Sequence, residues 1–232
     1  MPFLVVDESE TECPYLPAKV ACMPLRLPLA PLTPQEFDEL LAEGDRRAGP
    51  FLYRTRCPAC SACEALRIPV ARFTPSKSQR RVARRNQGSV TMEFGAPQLT
   101  ARHVELYNRH KTERGLSRHE EPTTAQGYRM HVLETCVETR EVRYLVDGRL
   151  VAVSILDFGE KSCSSVYHYF DPDQEDRSLG VLSVLREIDL CRELGLDWYY
   201  LGLYVKDCRA LTYKASYFPH QKLLAGEWQE FS

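Results

Sequence analysis

The feature that most constrains the fold is a hairpin signal near the middle of the chain, where Asp147 and Gly148 separate two apolar runs at 142–146 and 150–158. An Asp-Gly pair between two such runs is typical of a two-residue turn that joins antiparallel strands. The periodicity of the flanking segments predicts further elements. Helices are predicted at 99–114 and 123–137, a strand at 165–171, a helix at 178–194, a strand at 198–205, a short helix at 208–217 and a last strand at 221–224.

This order of elements is that of the acetyltransferase-type (GNAT) fold, in which a splayed pair of strands forms a cleft for an acyl donor and an amine acceptor. We therefore predict an α/β (α+β) fold, with a GNAT-like acyltransferase domain at 96–232 and a smaller, cysteine-containing N-terminal domain at 1–95. Prolines punctuate the first 35 residues and predict extended backbone there. Thr33 before Pro34 predicts the start of a short helix.

Three cysteines at two-residue gaps, Cys57, Cys60 and Cys63, predict a knuckle that binds a metal. Thiolates at this spacing can face one point, as a soft metal or an iron–sulfur cluster requires. Three ligands leave such a site incomplete, and Cys13 is the predicted fourth. Spacing does not separate zinc from an iron–sulfur cluster, and no organic cofactor is indicated. The alternative is that the three are free thiols in a loop.

The chain as a whole carries a net charge of −2, so any surface that binds a polyanion must be local. No apolar run approaches the length of a membrane span, and the first residues lack the basic flank of a signal peptide. Nine cysteines without an export signal predict a reduced, cytoplasmic protein with no membrane partner.

A cationic helix follows the cysteines. Residues 65–92 contain seven Arg or Lys and no Asp or Glu, and Ser76 or Ser78 can cap a helix there. Five cations then share one face, namely Lys77, Arg80, Arg81, Arg84 and Arg85. Like charges at this spacing repel one another, so the face indicates contact with an anion such as the phosphates of a nucleic acid. The alternative is an ordinary solvated face.

Two segments of the C-terminal half carry candidate chemistry. Arg177, Ser178 and Gly180 lie at a predicted strand-to-helix turn, where free backbone N–H groups bind phosphate or carboxylate. In the preceding strand, Tyr167 and Tyr169 point to one face and His168 to the other. These three side chains are the candidates for positioning and proton transfer at the reacting centre.

Motifs in both halves resemble the aminoacyl-tRNA–protein transferases of the arginyltransferase type. They are Tyr53-Arg-Thr-Arg-Cys57, Ser78-Gln-Arg-Arg81, Asn86, Tyr167-His-Tyr-Phe-Asp-Pro-Asp173, Arg177-Ser-Leu-Gly180, Tyr200-Leu-Gly202, Cys208 and Tyr213-Lys214. The length and the cysteine knuckle are similar to the compact bacterial branch, the aspartate/glutamate leucyltransferases. Leu203 and Ala210-Leu211 depart from the pattern of the family and bear on donor or acceptor selection.

The resemblance implies an enzyme of the N-degron pathway that moves leucine from leucyl-tRNA to the N-terminal amine of proteins beginning with Asp or Glu. Arginyl-tRNA is the alternative donor. It further implies that the 177–180 turn holds the terminal ribose-phosphate and that the cationic helix follows the acceptor stem. Arg56, Arg67 or Lys214 would then receive the acidic N-terminal residue of the acceptor.

Two other functions remain open at this point. The order of elements alone also fits a small-molecule N-acetyltransferase that uses acetyl-CoA, although the short Arg-x-x-Gly turn lacks a fuller glycine-rich loop for pyrophosphate. The knuckle and the cationic helix also fit a noncatalytic RNA- or DNA-binding module with the C-terminal region as a docking surface. Transfer of an amino acid would exclude both.

Overall fold

The computed structural model describes residues 2–115 and 121–232. Its strands are β1 (Phe3–Asp7), β2 (Glu10–Glu12), β3 (Val20–Cys22), β4 (Leu25–Pro28), β5 (Arg46–Ala48), β6 (Phe51–Tyr53), β7 (Glu64–Pro69), β8 (Thr91–Gly95), β9 (Glu138–Val146), β10 (Arg149–Phe158), β11 (Ser162–Phe170), β12 (Trp198–Tyr204), β13 (His220–Leu224) and β14 (Glu227–Phe231). Its helices are α1 (Pro34–Ala42), α2 (Lys77–Asn86), α3 (Ala101–Glu113), α4 (Ala125–Tyr128), α5 (Leu179–Glu193) and α6 (Arg209–Thr212). None of the described helices is long and apolar enough to cross a membrane.

An eight-stranded sheet in the order β14-β13-β7-β12-β11-β10-β9-β8 forms the centre of the molecule. Helix α5 packs on one face of this sheet and α3 on the other, each over its own buried apolar cluster. Strands β11 and β12 run parallel and pair only where Ser162–Ser164 meet Trp198–Tyr200. Beyond that point they diverge. The predicted GNAT-like architecture with its splayed strands is therefore confirmed.

The N-terminal segment contributes directly to the central sheet. Strand β7 lies between β13 and β12, and β8 forms the far edge next to β9. A second sheet, β1-β4-β6-β5, and the β2–β3 pair hold the rest of this segment. The division at residue 95 is an expectation from sequence, and the shared sheet runs across it.

Local signals set the helix starts and the central hairpin. Thr33 Oγ1 accepts a hydrogen bond from the Glu36 amide at 3.3 Å, and the Glu36 carboxylate accepts one from the Thr33 amide at 2.9 Å. This reciprocal pair is a capping box. Ser76, the first of the two predicted caps, does the same for α2. Asp147 and Gly148 both have positive φ, 49° and 76°, as a type I′ turn requires. The predicted hairpin is confirmed.

The predicted helix at 123–137 is wrong in its last four residues. After α4 the helix widens into one π turn at Arg129–Leu133, and it ends there. The hydroxyl of Thr135 accepts from the Val137 amide at 3.2 Å, and this local bond competes with a continued helix. Strands β8 and β14 are present although they were not predicted. Both lie at edges of the sheet, are five residues long and are largely exposed, so few apolar residues mark them in the sequence.

Candidate active site at the splayed strands

Arg46 and Lys214 meet at the opening between β11 and β12. Arg46 extends from β5 and donates from Nη1 to Ser164 Oγ at 3.0 Å and from Nη2 to the Ser165 carbonyl at 2.6 Å. Gly202 on β12 has a φ of +97°, and a Cβ there would lie 2.8 Å from Lys214 Nζ and 3.3 Å from Arg46 Nη2. Glycine at this position therefore provides both the left-handed backbone and the room for two cations.

Burial, with a smaller contribution from the charge of Arg46, lowers the pKa of Lys214 to about 7, while the nearby Cys208 thiol opposes the shift. The side chain is half-buried. Lysine in such surroundings exists in charged and neutral forms near neutral pH. Sequence reasoning placed Lys214 among the acceptor-binding candidates but gave no sign of Arg46 beside it.

The three predicted catalytic side chains occupy different environments. Tyr169 is fully buried against α3 and its hydroxyl is 2.6 Å from that of Tyr128. Tyr167, on the same face, lines an adjoining cavity. His168 points to the α5 face, as the alternation predicts, and its Nδ1 is 2.8 Å from Ser154 Oγ. Tyr167 lines open space and His168 is partly exposed, whereas Tyr169 is buried. The catalytic role of all three stays a prediction.

His168 is held neutral. Burial, with smaller contributions from the neighbouring His110 and Arg114, lowers its pKa to about 3. Its Nε2 atom is buried and has no hydrogen-bond partner among the described residues. A neutral imidazole can donate or accept a proton at one nitrogen while the other is held by Ser154.

Glu187 is a buried carboxylate beneath the cleft that sequence reasoning missed. It extends from α5 and accepts hydrogen bonds from the hydroxyls of Tyr199 and Tyr144, the latter at 3.3 Å. Burial raises its pKa to about 7, and hydroxyl donors including Ser154 oppose the shift. Because Ser154 also contacts His168, the carboxylate and the imidazole share one network. The sequence signal that could have revealed it is the position of this acidic residue, Glu187, within the apolar stripe of the predicted helix.

Replacing Glu187 with glutamine is expected to change how stability depends on pH. The fold raises the carboxyl pKa from 4.5 to about 7, so its contribution to the free energy of unfolding is complete below pH 4.5 and is lost as pH rises through 7. The loss amounts to at most about 3 kcal/mol. Urea unfolding between pH 4.5 and 8 should show the free energy of unfolding of the variant increasing relative to that of the wild type as pH rises. Parallel curves would contradict this.

A cavity of about 480 Å³ opens beside Tyr167, between β5, β11 and the π turn. Its lining is mainly apolar and includes Leu25, Phe51, Val132, Ile155 and Val166. Arg47 also lines it and is neutralised by Asp157, with Nε to Oδ2 at 2.6 Å and both side chains buried. Glu134 supplies an exposed carboxylate at the lining.

The predicted phosphate-binding residues form one surface. All five cations of α2 are exposed. Arg85 Nη2 donates to Ser178 Oγ at 3.0 Å, and Asn86 Nδ2 donates to the Arg177 carbonyl at 2.9 Å, so α2 is attached to the turn that precedes α5. A Cβ at Gly180 would meet only Phe170, at 3.9 Å. We call α2 with the 177–180 turn the basic surface.

The other two acceptor candidates lie elsewhere. Arg67 is stacked between the rings of Trp198 and Trp228, at 3.8 and 4.1 Å, and bonds Gln221 and the Tyr200 hydroxyl. Both faces of its guanidinium are therefore covered. Arg56 is exposed beside the cysteine knuckle.

The four predicted metal ligands are near neighbours. Burial, together with the thiols of Cys57, Cys13 and Cys60, raises the pKa of the Cys63 thiol to about 12. Cys208, part of the family motif near the C-terminus, contributes to the same shift. Within the described ranges, no three Cys, His, Asp or Glu side chains converge on one point as metal ligands do. The thiols cluster without forming a closed site.

Comparison with solved structures supports the fold. The C-terminal domain of a protein from Agrobacterium fabrum described as a lysylphosphatidylglycerol synthetase superposes with a TM-score of 0.50 at 15% identity. The match covers 73% of this chain and 58% of that one. At this identity the likeness concerns the fold alone.

Sequence comparison identifies the family. The profile described as arginine-tRNA-protein transferase, N terminus, matches residues 11–81, and the profile for the C terminus of the same family matches 102–224. The aspartate/glutamate leucyltransferase of Acinetobacter baumannii strain AYE is 33% identical over 221 residues, which cover 95% of this chain and 82% of the relative. The enzyme of the same name from Aeromonas hydrophila is 33% identical and covers 94% and 91%. The chain therefore belongs to the arginine-tRNA-protein transferase family, as its motifs predicted.

Proposed function

We propose that this protein is an aminoacyltransferase that moves leucine from leucyl-tRNA to the N-terminal amine of proteins beginning with Asp or Glu, in the cytoplasm where its tRNA substrate is made. The observation that carries the proposal is the match, over 95% of the chain, to relatives named aspartate/glutamate leucyltransferase. Three parts of the structure support it, namely the basic surface, the apolar cavity and the cleft between β11 and β12.

The proposed reaction depends more on positioning the two substrates than on activating them. The aminoacyl ester of the donor is already reactive, and an α-amine with a pKa of about 7.7–8.0 is partly neutral at physiological pH. Holding amine and ester together and stabilising the tetrahedral oxyanion then accounts for most of the rate. The cavity that Tyr167 lines adjoins β11, one of the two splayed strands, and is the proposed place for the donor end of this reaction.

The basic surface is the proposed contact for the tRNA. Exposed cations bind phosphates without reading sequence, which fits a protein that accepts the acceptor stem of a tRNA. The turn at 177–180 would hold the last ribose-phosphate, close to the start of α5.

The cavity is the proposed pocket for the side chain of the donor amino acid. Its apolar lining fits leucine, because an arginine side chain in such a pocket needs a carboxylate to pair with. Glu134 is the lining carboxylate without an ion-pair partner among the described residues, and it supports arginyl-tRNA as the second candidate donor.

A transfer assay tests the proposal. Peptides that begin with Asp, Glu, Lys or Arg are offered radiolabelled leucyl-tRNA or arginyl-tRNA in parallel. Leucine on the acidic peptides alone is the expected result, whereas arginine on those peptides would favour the second candidate. No transfer from either donor would contradict the proposal.

Tyr167 and Tyr169 should differ in their contribution to transfer. Replacing Tyr167 with alanine removes a wall of the cavity and is expected to lower kcat/KM on the order of 100-fold through misplacement of the donor. Replacing Tyr169 with phenylalanine leaves the buried Tyr128 hydroxyl unpaired and is expected to cost about 1–3 kcal/mol of stability. Steady-state kinetics with thermal unfolding separates the two. A larger kinetic effect at Tyr169 would contradict this assignment.

We also propose that Cys13, Cys57, Cys60 and Cys63 can close on a soft metal or an iron–sulfur cluster. Their proximity around Cys63 supports this, and no catalytic step depends on it. Protein purified without oxygen is expected to contain about one zinc ion, or one cluster's iron and sulfide, per chain. Cys60→Ser should lower the content, while Cys136→Ala, a core change, should not. Wild type that contains neither metal nor cluster when it is purified in this way would contradict the proposal.

A further inference from the structure

Arg46 and Lys214 form a pair of partly desolvated cations without a carboxylate partner among the described residues. Arg46 is 7% exposed and donates only to two neutral oxygens of β11. Its sequence neighbour, Arg47, shows the usual arrangement, since Asp157 neutralises it at 2.6 Å. Burying a cation is costly unless an opposite charge accompanies it, and placing two together adds repulsion. The site therefore lacks the anion that would make it favourable.

The surroundings of the pair leave room for that anion. Gly202 removes the side chain that would otherwise contact both cationic nitrogens. Burial raises the pKa of the Tyr53 hydroxyl, which lies close enough to Arg46 for its charge to oppose the shift. This hydroxyl stays protonated and can donate a hydrogen bond to a carboxylate. Each Nη of Arg46 uses one hydrogen on β11 and retains a second.

We propose that Arg46 and Lys214 bind the side-chain carboxylate of the first residue of the acceptor protein, and so select acceptors that begin with Asp or Glu. This inference rests on the proposed transferase function. The pair lies at the splayed strands, where the acceptor amine has to approach the donor ester. The flexible stem of Lys214 lets its ammonium follow carboxylates that differ in length by one methylene.

A carboxylate fits this site better than a tRNA phosphate. Phosphates of a long polyanion are met by exposed cations, and those lie on α2. The Arg46–Lys214 site lies among β5, β11 and β12, where Arg46 is buried and Lys214 is half-buried. A side chain at the very end of a polypeptide can enter such a space, whereas a continuous nucleic-acid backbone cannot.

The test measures binding of fluorescent peptides that begin with Asp, Glu, Asn or Gln. Lys214→Met should weaken binding of the acidic peptides at least about tenfold, the order of a charge-assisted contact, and change the amide peptides less than about threefold. Arg46→Lys keeps the charge and should retain most of the preference, which separates a charge role from a folding defect. Lys161→Met, an exposed lysine in the β10–β11 turn, is the matched control and should change nothing.

Equal weakening of acidic and amide peptides by Lys214→Met would overturn the inference. Loss of leucyl-tRNA binding with peptide preference intact would also overturn it, since the pair would then serve the nucleic acid. The wild-type transfer assay is read separately. Failure of transfer from either donor, with a peptide preference that depends on Lys214, would defeat the proposed function and leave the anion site standing.

Discussion

Binding of leucyl-tRNA is expected to fall on the order of 100-fold when the exposed cations of α2 are replaced by glutamine. The positions are Lys77, Arg80, Arg81, Arg84 and Arg85. Each cation that contacts a phosphate releases counterions on binding, so the logarithmic dependence of affinity on salt should become shallower by about one for each contact removed. Binding isotherms at several salt concentrations, with wild type and variant in parallel, measure both effects.

Two features make this experiment specific to charge. Glutamine has nearly the helix propensity of lysine and arginine, so α2 should persist in the variant and circular dichroism should be unchanged. The control is Lys161→Gln, which removes an exposed cation outside the basic surface. The backbone of Lys161 contacts Asp197 and Trp198, which follow the C-terminal end of α5, whereas α2 contacts the turn before the N-terminal end of α5. An unchanged salt dependence in the α2 variant would place the tRNA on another surface.

Replacing Asp157 with alanine is expected to lower the free energy of unfolding by about 3–5 kcal/mol, because it leaves the Arg47 guanidinium buried without its carboxylate. Thr139 would also lose the acceptor of its hydroxyl, now at 2.7 Å. For a chain of this length the change corresponds to a fall in Tm of roughly 6–20 °C. Urea denaturation followed by circular dichroism measures it.

A matched pair of variants tests the cause. Combining Arg47→Met with Asp157→Leu removes both charges and should recover most of the lost stability, since well-packed apolar groups replace a buried ion pair at little cost. Glu230→Ala breaks the exposed pair with Arg72 and should have little effect. A double variant as unstable as Asp157→Ala alone would show that shape, not charge, determines stability at this position.

Elements with strong local signals were predictable from sequence. The Asp147-Gly148 turn, the α5 stripe and the caps at Thr33 and Ser76 each depend on a few neighbouring residues, and each is present. The basic surface was predictable in the same way, because its run of cations without acidic residues can be recognised in the sequence itself. Tertiary contacts add the junction between α2 and the turn before α5.

Groups assembled from distant parts of the chain were not predictable. Arg46 lies near Lys214 because β5 packs against the splayed strands β11 and β12. No local sequence pattern at either residue predicts this contact. Glu187 and His168 are joined through Ser154, from a third element. The end of the helical segment after Leu133 coincides with a competing side-chain bond at Thr135 that helical periodicity does not represent.

The position of β7 between β12 and β13 has a consequence for biosynthesis. Translation makes β7 long before either partner strand, so its two edges have no native neighbours until residues through His220–Leu224 have emerged. Pairings this distant in sequence give a high contact order and slow folding, and unpaired strand edges attract aggregation and chaperones. We therefore expect the cleft to form only late in synthesis, which keeps a nascent copy of the enzyme inactive on the ribosome.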